Sequence, residues 1–361
     1  GGPIDDFFDD FEPVPIGSAS IGQVHAARLK DGADVVVKIQ HQGIQDDIET
    51  DLDILEGLAD FAEQRSSELR LYQPQSVIRT FRRSVLQQLD FLREQHNLEQ
   101  FRKHFEDDIL VVFPEPYEEL CTRRVLVMER FFGLTLEELH AGVEPEIDRT
   151  VVARRGADAY LQMIFRDGYY HADPHPGNFI IMDDEVVGFL DCGLVGRIDS
   201  RLRNEFEEML ISVIQNDSES LVSDILQIGS TPRDLDRDAF RVDVSEFVDE
   251  YGTQNLTNFD LGGALNRLTG IIRDHRIVLP ANVSILLRVL IMLEGTARYI
   301  EPNFSLIEVM EPYESEVTAR RYSPTRMAAK VRRRYRELDR LLDTRSEEHT
   351  SELQSPYVIS Y

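Results

Sequence analysis

An α+β fold in two lobes is what this sequence predicts: a small strand-rich N-terminal lobe with an extended helical insert, then a mainly helical C-terminal lobe. Three observations carry the prediction. Apolar runs around Val24-His25-Ala26-Ala27 and Val35-Val36-Val37-Lys38-Ile39 flank Asp31-Gly32, a hairpin signal because glycine accepts the positive φ of a tight turn. Ile44, Ile48, Leu52, Leu55 and Leu58 then recur at helical spacing, and after a break near Tyr72-Gln73-Pro74 so do Val77, Phe81, Val85, Leu89 and Leu92. From about Arg201 to Leu342 the pattern is helical throughout.

The elements between them follow in order. Strand-like runs cover Ile109 to Phe113 and Val125 to Met128. Thr135-x-x-Glu138 has the form of a capping box opening a short helix, and a longer helix is expected from about Ile147 to Arg166. A second hairpin pairs Phe179 to Met182 with Val186 to Leu190 about Asp183-Asp184. The lobes are taken as residues 1–131 and 132–344. The remainder, 345–361, resembles a translated sequencing adapter and is expected to be non-native.

Composition narrows the function. With 66 Asp+Glu against 39 Lys+Arg the chain carries a formal charge of −27, which repels nucleic-acid phosphates and excludes nucleic acid as the main partner. Only Lys30, Lys38, Lys103 and Lys330 are lysines, and so acidic and lysine-poor a composition predicts a salt-adapted organism. Two cysteines exclude a disulfide framework and a four-cysteine zinc site, and fit a cytoplasmic protein. The longest apolar stretch, Val283 to Leu293, falls short of a bilayer span. The start has neither Met nor a signal-peptide pattern, so the chain is expected to begin inside a longer protein.

Polar residues gather at both open ends of the second hairpin. Before it lies His171-Ala172-Asp173-Pro174-His175-Pro176-Gly177-Asn178, and after it Asp191-Cys192-Gly193. The hairpin brings Asn178 and Asp191 side by side as hard oxygen ligands suited to Mg²⁺, leaving Asp173 to orient an acceptor. This is the spacing of a protein-kinase catalytic loop followed by its metal-binding aspartate. Turn-forming roles for Asp173 and Asn178, and a helix-capping role for Asp191, are the alternatives. Lys38 sits in an apolar strand, where an ammonium is costly unless paired or bound to an anion such as phosphate; a lysine snorkelling from a strand edge is the alternative. Glu94 is its natural carboxylate partner, although Asp90 and Glu99 are close in sequence.

Ser-Ala-Ser-Ile-Gly-Gln-Val-His at 18–25, Val-Lys-Ile-Gln at 37–40, Asp-Phe-Leu-Arg-Glu at 90–94, the 171–178 segment and Asp-Cys-Gly at 191–193 together resemble the UbiB/AarF/ADCK family of atypical kinases, over roughly residues 7–312. The resemblance implies a protein-kinase-like fold, ATP with Mg²⁺ or Mn²⁺, and support of isoprenoid quinone biosynthesis or membrane lipid homeostasis. It assigns Gly17, Ser18, Ala19 and Ser20 to an alanine-rich phosphate loop, with glycine at 17 where the family often has alanine. Lys38 goes to the α/β-phosphates, Glu94 to its ion pair and Asp173 to the catalytic loop. Asn178 and Asp191 take the metal, and Met128 and Glu129 the adenine hinge. Quinone-biosynthesis proteins, isoprenoid lipids and the inner face of a membrane are the implied partners, the last also suggested by the basic amphipathic run from Met327 to Leu342. The family's Lys-x-Gly-Gln segment is missing, and its Glu-x-Asp pair reads Gln88-Leu89-Asp90. Two other functions compete: a small-molecule kinase of the aminoglycoside or choline type, against which the 18–25 loop argues, and an ATP-binding scaffold or lipid-binding chaperone with little turnover.

Overall fold

Two antiparallel neighbours around one tight turn start the N-terminal sheet. In the computed structural model, which describes residues 2–65, 74–143, 146–252 and 259–310, β1 (Phe8–Phe11) and β2 (Gly17–Ser18) pair with β3 (Gly22–Leu29). β3 turns through Gly32, at φ 91°, into β4 (Asp34–Gln40). Every element described here belongs to one compact unit, Gly1–Val309.

Past β4 the sheet gains a strand from much later in the chain. After β5 (Val111–Val112), β6 (Val125–Glu129) returns to the far edge of β4, opposing Lys38 to Leu126 and Val36 to Met128. Because side chains alternate along a strand, the sheet has two distinct faces. Ala27, Leu29, Val35, Val37 and Val127 form an apolar core on one face, with Phe8 and Phe11 packed against it. Val24, Ala26, Val36, Lys38 and Met128 share the other.

The helical insert differs from its periodicity in one place. The pattern from Val77 to Leu92 reads as one helix, but the chain forms two, Pro74–Gln88 and Phe91–His104. Asp90 breaks it: in extended conformation it accepts the amide of Leu92 and caps the second helix, so it is not a helical competitor of Glu94. Leu89 and Phe91, at 7% and 0% exposure, anchor the break in the core.

β7 (Leu134–Thr135) follows, and the expected capping box is present, with Thr135 N donating to Glu138 Oε2 (2.9 Å) and Glu138 N to Thr135 Oγ1 (3.2 Å). The next helix, Arg149–Leu161, gives way to a π-helical turn, Gln162–Asp167, that stops at Gly168 (φ 66°), where a Cβ would lie 2.6 Å from Ile198 O. β8 (Tyr169–His171) follows, then β9 (Phe179–Ile181), β10 (Val187–Phe189) and β11 (Val195–Arg197). β9 and β10 form the expected hairpin inside a sheet of order β5-β10-β9-β7, and β8 pairs with β11.

Helices Ser200–Ile214, Ser218–Ile228, Arg237–Tyr251, Leu261–Asp274 and Ala281–Ile300 come last. The last buries Val283, Leu286, Val289, Leu290 and Leu293. Among the described residues no helix is long and apolar enough to cross a membrane. The basic run at 327–342 and the tail at 345–361 lie outside the described residues.

Candidate active site

Lys38 is the centre of the site. Its strand carries it into a buried position with an 8% exposed side chain, and the Phe91–His104 helix brings Glu94, at 3%, directly onto it. Nζ donates to both Glu94 oxygens, at 2.9 and 2.8 Å, and to Asp191 Oδ2 at 2.7 Å. The Phe91 ring packs 5.2 Å from the ammonium. Burial alone would lower the Lys38 pKa, but Glu94 and Asp191 outweigh it and hold it above its ordinary value. Asp191 responds in kind: burial acts to raise it, yet Lys38 and the Gly193 amide, which donates to Oδ1 at 2.8 Å, keep it low. Glu94 bears the excess negative charge. Burial pushes it up to about 7, with Asp191 adding to the rise and Lys38 opposing it.

The second hairpin delivers the other polar residues. Leu190 N donates to Asn178 O at 2.9 Å, so the backbone of 178 lies beside the residue preceding Asp191. Asn178 Nδ2 donates to Asp173 O and Oδ2, both at 3.0 Å, which leaves its Oδ1 as the atom that could ligate a cation. An amide oxygen and a carboxylate are hard donors, and so few protein ligands suit a Mg²⁺ that keeps waters and substrate phosphates in its shell. Among the described residues no cluster of three His, Cys, Asp or Glu side chains provides a metal cage. Two such donors could hold a divalent cation that brings its remaining ligands with it.

His171 fastens this segment to Asp191. Asp173 N donates to its Nδ1 at 3.2 Å, so Nδ1 is an acceptor and the proton sits on Nε2, which donates to Asp191 O. Burial lowers the His171 pKa and keeps the ring neutral.

The 17–20 segment pairs with β3, the strand next to the one that carries Lys38. Gly17 and Ser18 pair with Val24 and Gln23, Ala19 N donates to Gly22 O at 2.8 Å, and His41 Nε2 donates to Ala19 O at 3.0 Å. Gly22 is required there, since a Cβ would stand 2.6 Å from Ile39 O. Met128 and Glu129 separate. Met128 faces the same side as Val36 and Lys38, whereas the Glu129 side chain accepts from Glu115 N at 3.3 Å and borders a cavity of about 540 Å³ with Arg102, Arg130 and Phe131. Any contact of Glu129 with a base falls to its backbone carbonyl, because its N–H donates to Glu115 O.

Three supporting residues carry no local sequence signal. Tyr160 OH meets His171 Nδ1 at 3.0 Å. Thr296 Oγ1 donates to Pro174 O at 2.6 Å, tying the last helix to the 171–178 segment. Arg155 donates to Asp184 O and Glu185 O at the hairpin tip, where both residues hold positive φ, 59° and 53°. Their partners are remote in sequence or are backbone carbonyls, so no pattern of neighbours marks them.

Comparison with known proteins bears on the family and the fold. Residues 1–225 match the ABC1 atypical kinase-like domain and residues 244–305 the UbiB helical domain. A Clostridium pasteurianum protein, described as an uncharacterized protein in the hydrogenase 1 5′ region, is 32% identical over 310 residues, 86% of this chain and 58% of the relative. A Pseudomonas putida protein named probable protein kinase UbiB is 30% identical over 329 residues, 90% of this chain and 61% of the relative. The chain thus spans about three-fifths of these relatives. A Mycobacterium tuberculosis structure, Rv3197 in complex with erythromycin, shares the fold with a TM-score of 0.64 at 20% identity, covering 86% of this chain and 79% of its own. With more than half its length matched and a kinase-like two-lobed fold around Lys38, the chain belongs to the ABC1 atypical kinase-like family.

Proposed function

We propose that this chain is an ATP-dependent phosphotransferase or ATPase of the UbiB type, acting in isoprenoid quinone biosynthesis or membrane lipid homeostasis. The observation that carries the reading is the buried Lys38 held between Glu94 and Asp191 beside the Asp173–Asn178 segment. The UbiB names of relatives support the quinone context and, with it, a membrane surface and quinone-biosynthesis proteins as partners.

Phosphoryl transfer depends on positioning and electrostatics more than on covalent chemistry, and each residue serves one of those ends. Lys38 has three N–H donors, all engaged. A phosphate oxygen of ATP therefore reaches it by displacing one carboxylate. Asp191 is the one that yields, because its side chain is 44% exposed against 3% for Glu94. Glu94 then keeps the ammonium charged and aimed at the α/β-phosphates. Gly17 to Ser20 cover the phosphates, Met128 and the Glu129 carbonyl meet adenine, and Asp173 orients the acceptor hydroxyl or water. Mg²⁺ held by Asn178 Oδ1 and the Asp191 carboxylate would neutralise charge on the phosphate oxygens.

Thermal melting with Mg·ATP tests binding: nucleotide at 100 times Kd adds about 2.7 kcal/mol of stability to the wild type, and Lys38→Ala abolishes most of it. Release of ADP and phosphate tests turnover, which Asp191→Asn lowers by orders of magnitude. Nucleotide binding with no product under any acceptor condition overturns the enzymatic reading in favour of a nucleotide-responsive scaffold, and an unchanged rate in Asp191→Asn removes the metal assignment.

A further inference from the structure

We propose that Asn97 is a positioning residue that sets the register between Glu94 and Asp191. The proposal rests on the kinase-like reading and extends it to a side chain outside the residues assigned above. Asn97 lies three residues beyond Glu94 on the Phe91–His104 helix, so the two share a face. Its Nδ2 donates to Cys192 O at 2.7 Å, and its Oδ1 accepts from Tyr169 OH at 2.7 Å.

The orientation of the amide is forced. A backbone carbonyl only accepts, so the nitrogen must face Cys192, and the oxygen then requires Tyr169 to donate. One side chain thereby joins three segments: the helix that carries Glu94, the Asp191–Gly193 turn, and β8, which runs from Tyr169 into His171. Each anchor is itself fixed. Cys192 is fully buried, and Ala172 N donates to Leu194 O at 2.9 Å directly alongside. The Tyr169 ring packs 5.0 Å from Phe101, one turn further along the same helix, with the Arg197 guanidinium 5.2 Å from it on β11.

What this bridge does follows from which contacts survive nucleotide binding. The Lys38 contact to Asp191 must open to admit a phosphate, whereas the Asn97 contacts involve neither the ammonium nor a carboxylate. Once that ion pair has opened, the bond to Cys192 O still holds the backbone next to Asp191 at a constant distance from the Glu94 helix. The Asp191 carboxylate then turns toward the cation about a fixed point. Loss of the bond leaves the carboxylate present and ionised but no longer preorganised, and the cost falls on metal use.

Asn97→Asp and Tyr169→Phe in the full chain test this. Asn97→Asp removes the donor to Cys192 O and sets a carboxylate against that carbonyl, while Tyr169→Phe leaves the Cys192 bond intact. Two quantities are read: the Mg²⁺ concentration giving half of the ATP-induced melting shift, and, well below the melting temperature, the Mg²⁺ concentration giving half-maximal turnover. Asn97→Asp raises both about tenfold, the worth of one hydrogen bond to a buried carbonyl, and Tyr169→Phe, which frees one anchor of the same amide, raises them about two- to threefold. A lower melting temperature with both Mg²⁺ midpoints unchanged overturns the proposal and reduces Asn97 to a structural residue. If Asn97→Asp fails to fold, Tyr169→Phe decides it: a midpoint raised about two- to threefold supports the proposal, and an unchanged one overturns it. A wild-type chain with no Mg·ATP shift at all sinks the kinase-like reading and the proposal together, whereas a wild-type shift that Asn97→Asp preserves sinks the proposal alone.

Discussion

Removing the ammonium and leaving its carboxylates is the sharpest test of how the site is held together. Lys38→Met keeps most of the volume of the side chain but strands Glu94, 3% exposed, opposite Asp191. Three charge-assisted bonds of 2.7 to 2.9 Å disappear at once. Breaking one half of a buried ion pair costs about 3–5 kcal/mol, chiefly because the remaining charge stays buried without a partner. In a unit of this size that corresponds to a fall of roughly 6–10 °C in melting temperature. Adding Glu94→Gln removes the stranded charge, and Asp191, 44% exposed, turns to water. The double variant therefore recovers at least half of the loss. The pH dependence has a definite sign. Glu94 stands at about 7 with Lys38 present, above its unfolded value of ~4.3, so the stability it contributes is full below that unfolded value and is lost as pH rises through the folded one. Without Lys38 the upper end of this window moves higher, so the Lys38→Met penalty is larger at pH 8 than at pH 6. Melts of the wild type and the three variants at both pH values give the full cycle. Additive losses in the double variant, or a penalty independent of pH, would refute the buried-cluster argument.

Two further outcomes follow from other parts of the molecule. Gly156 lies inside the Arg149–Leu161 helix with open space where a Cβ would go, so Gly156→Ala stabilises the chain by about 0.5–1 kcal/mol, read as a melting shift of roughly 1–2 °C; a loss of stability would show the space to be filled. The net charge of −27 places like charges close together, as along Asp46, Asp47, Glu49, Asp51 and Asp53 of one helix. Raising KCl from about 0.1 to 1 M shortens the Debye length from ~10 to ~3 Å and raises the melting temperature, and a flat or falling curve would remove the salt-adaptation argument.

Lys38, Asp173, Asn178 and Asp191 could be singled out in the sequence because each sits in a short pattern of its own. An ammonium in a run of valines is costly in isolation, and although an aspartate and an asparagine at the mouth of a hairpin are ordinary turn formers, their spacing ahead of Asp191-x-Gly193 is a demanding combination. The two lobes were legible for the same reason, since long helices and the Asp31-Gly32 hairpin repeat a local period. Pairings with remote partners were not. β8 and β11 have three residues each, too few to show alternation, and they exist because each supplies the other's hydrogen bonds. The helix break at Leu89-Asp90 was hidden because Leu89 and Leu92 continue the apolar spacing across it, and only the cap at Asp90 reveals that the axis changes. Thr296 is separated from Pro174 by 122 residues, and nothing near it hints that its hydroxyl would be needed there.

The charge of the cluster explains why these parts belong together. Lys38, Glu94 and Asp191 sum to one negative charge when all are ionised, inside a chain already at −27. A triphosphate approaching alone meets repulsion from both, and the ammonium that should attract it has no donor to spare. On the proposed reading, that obstacle would be lifted when Asp191 turned to another cation and a phosphate oxygen took its place on Lys38. Metal and nucleotide would then bind together, each making room for the other. The exchange demands that one carboxylate move while the other stays, and the fold provides that asymmetry. Glu94, 3% exposed, shares a face of its helix with Phe91 and Leu98, both at 0% exposure, whereas the Asp191 side chain, in the segment after the hairpin, is 44% exposed.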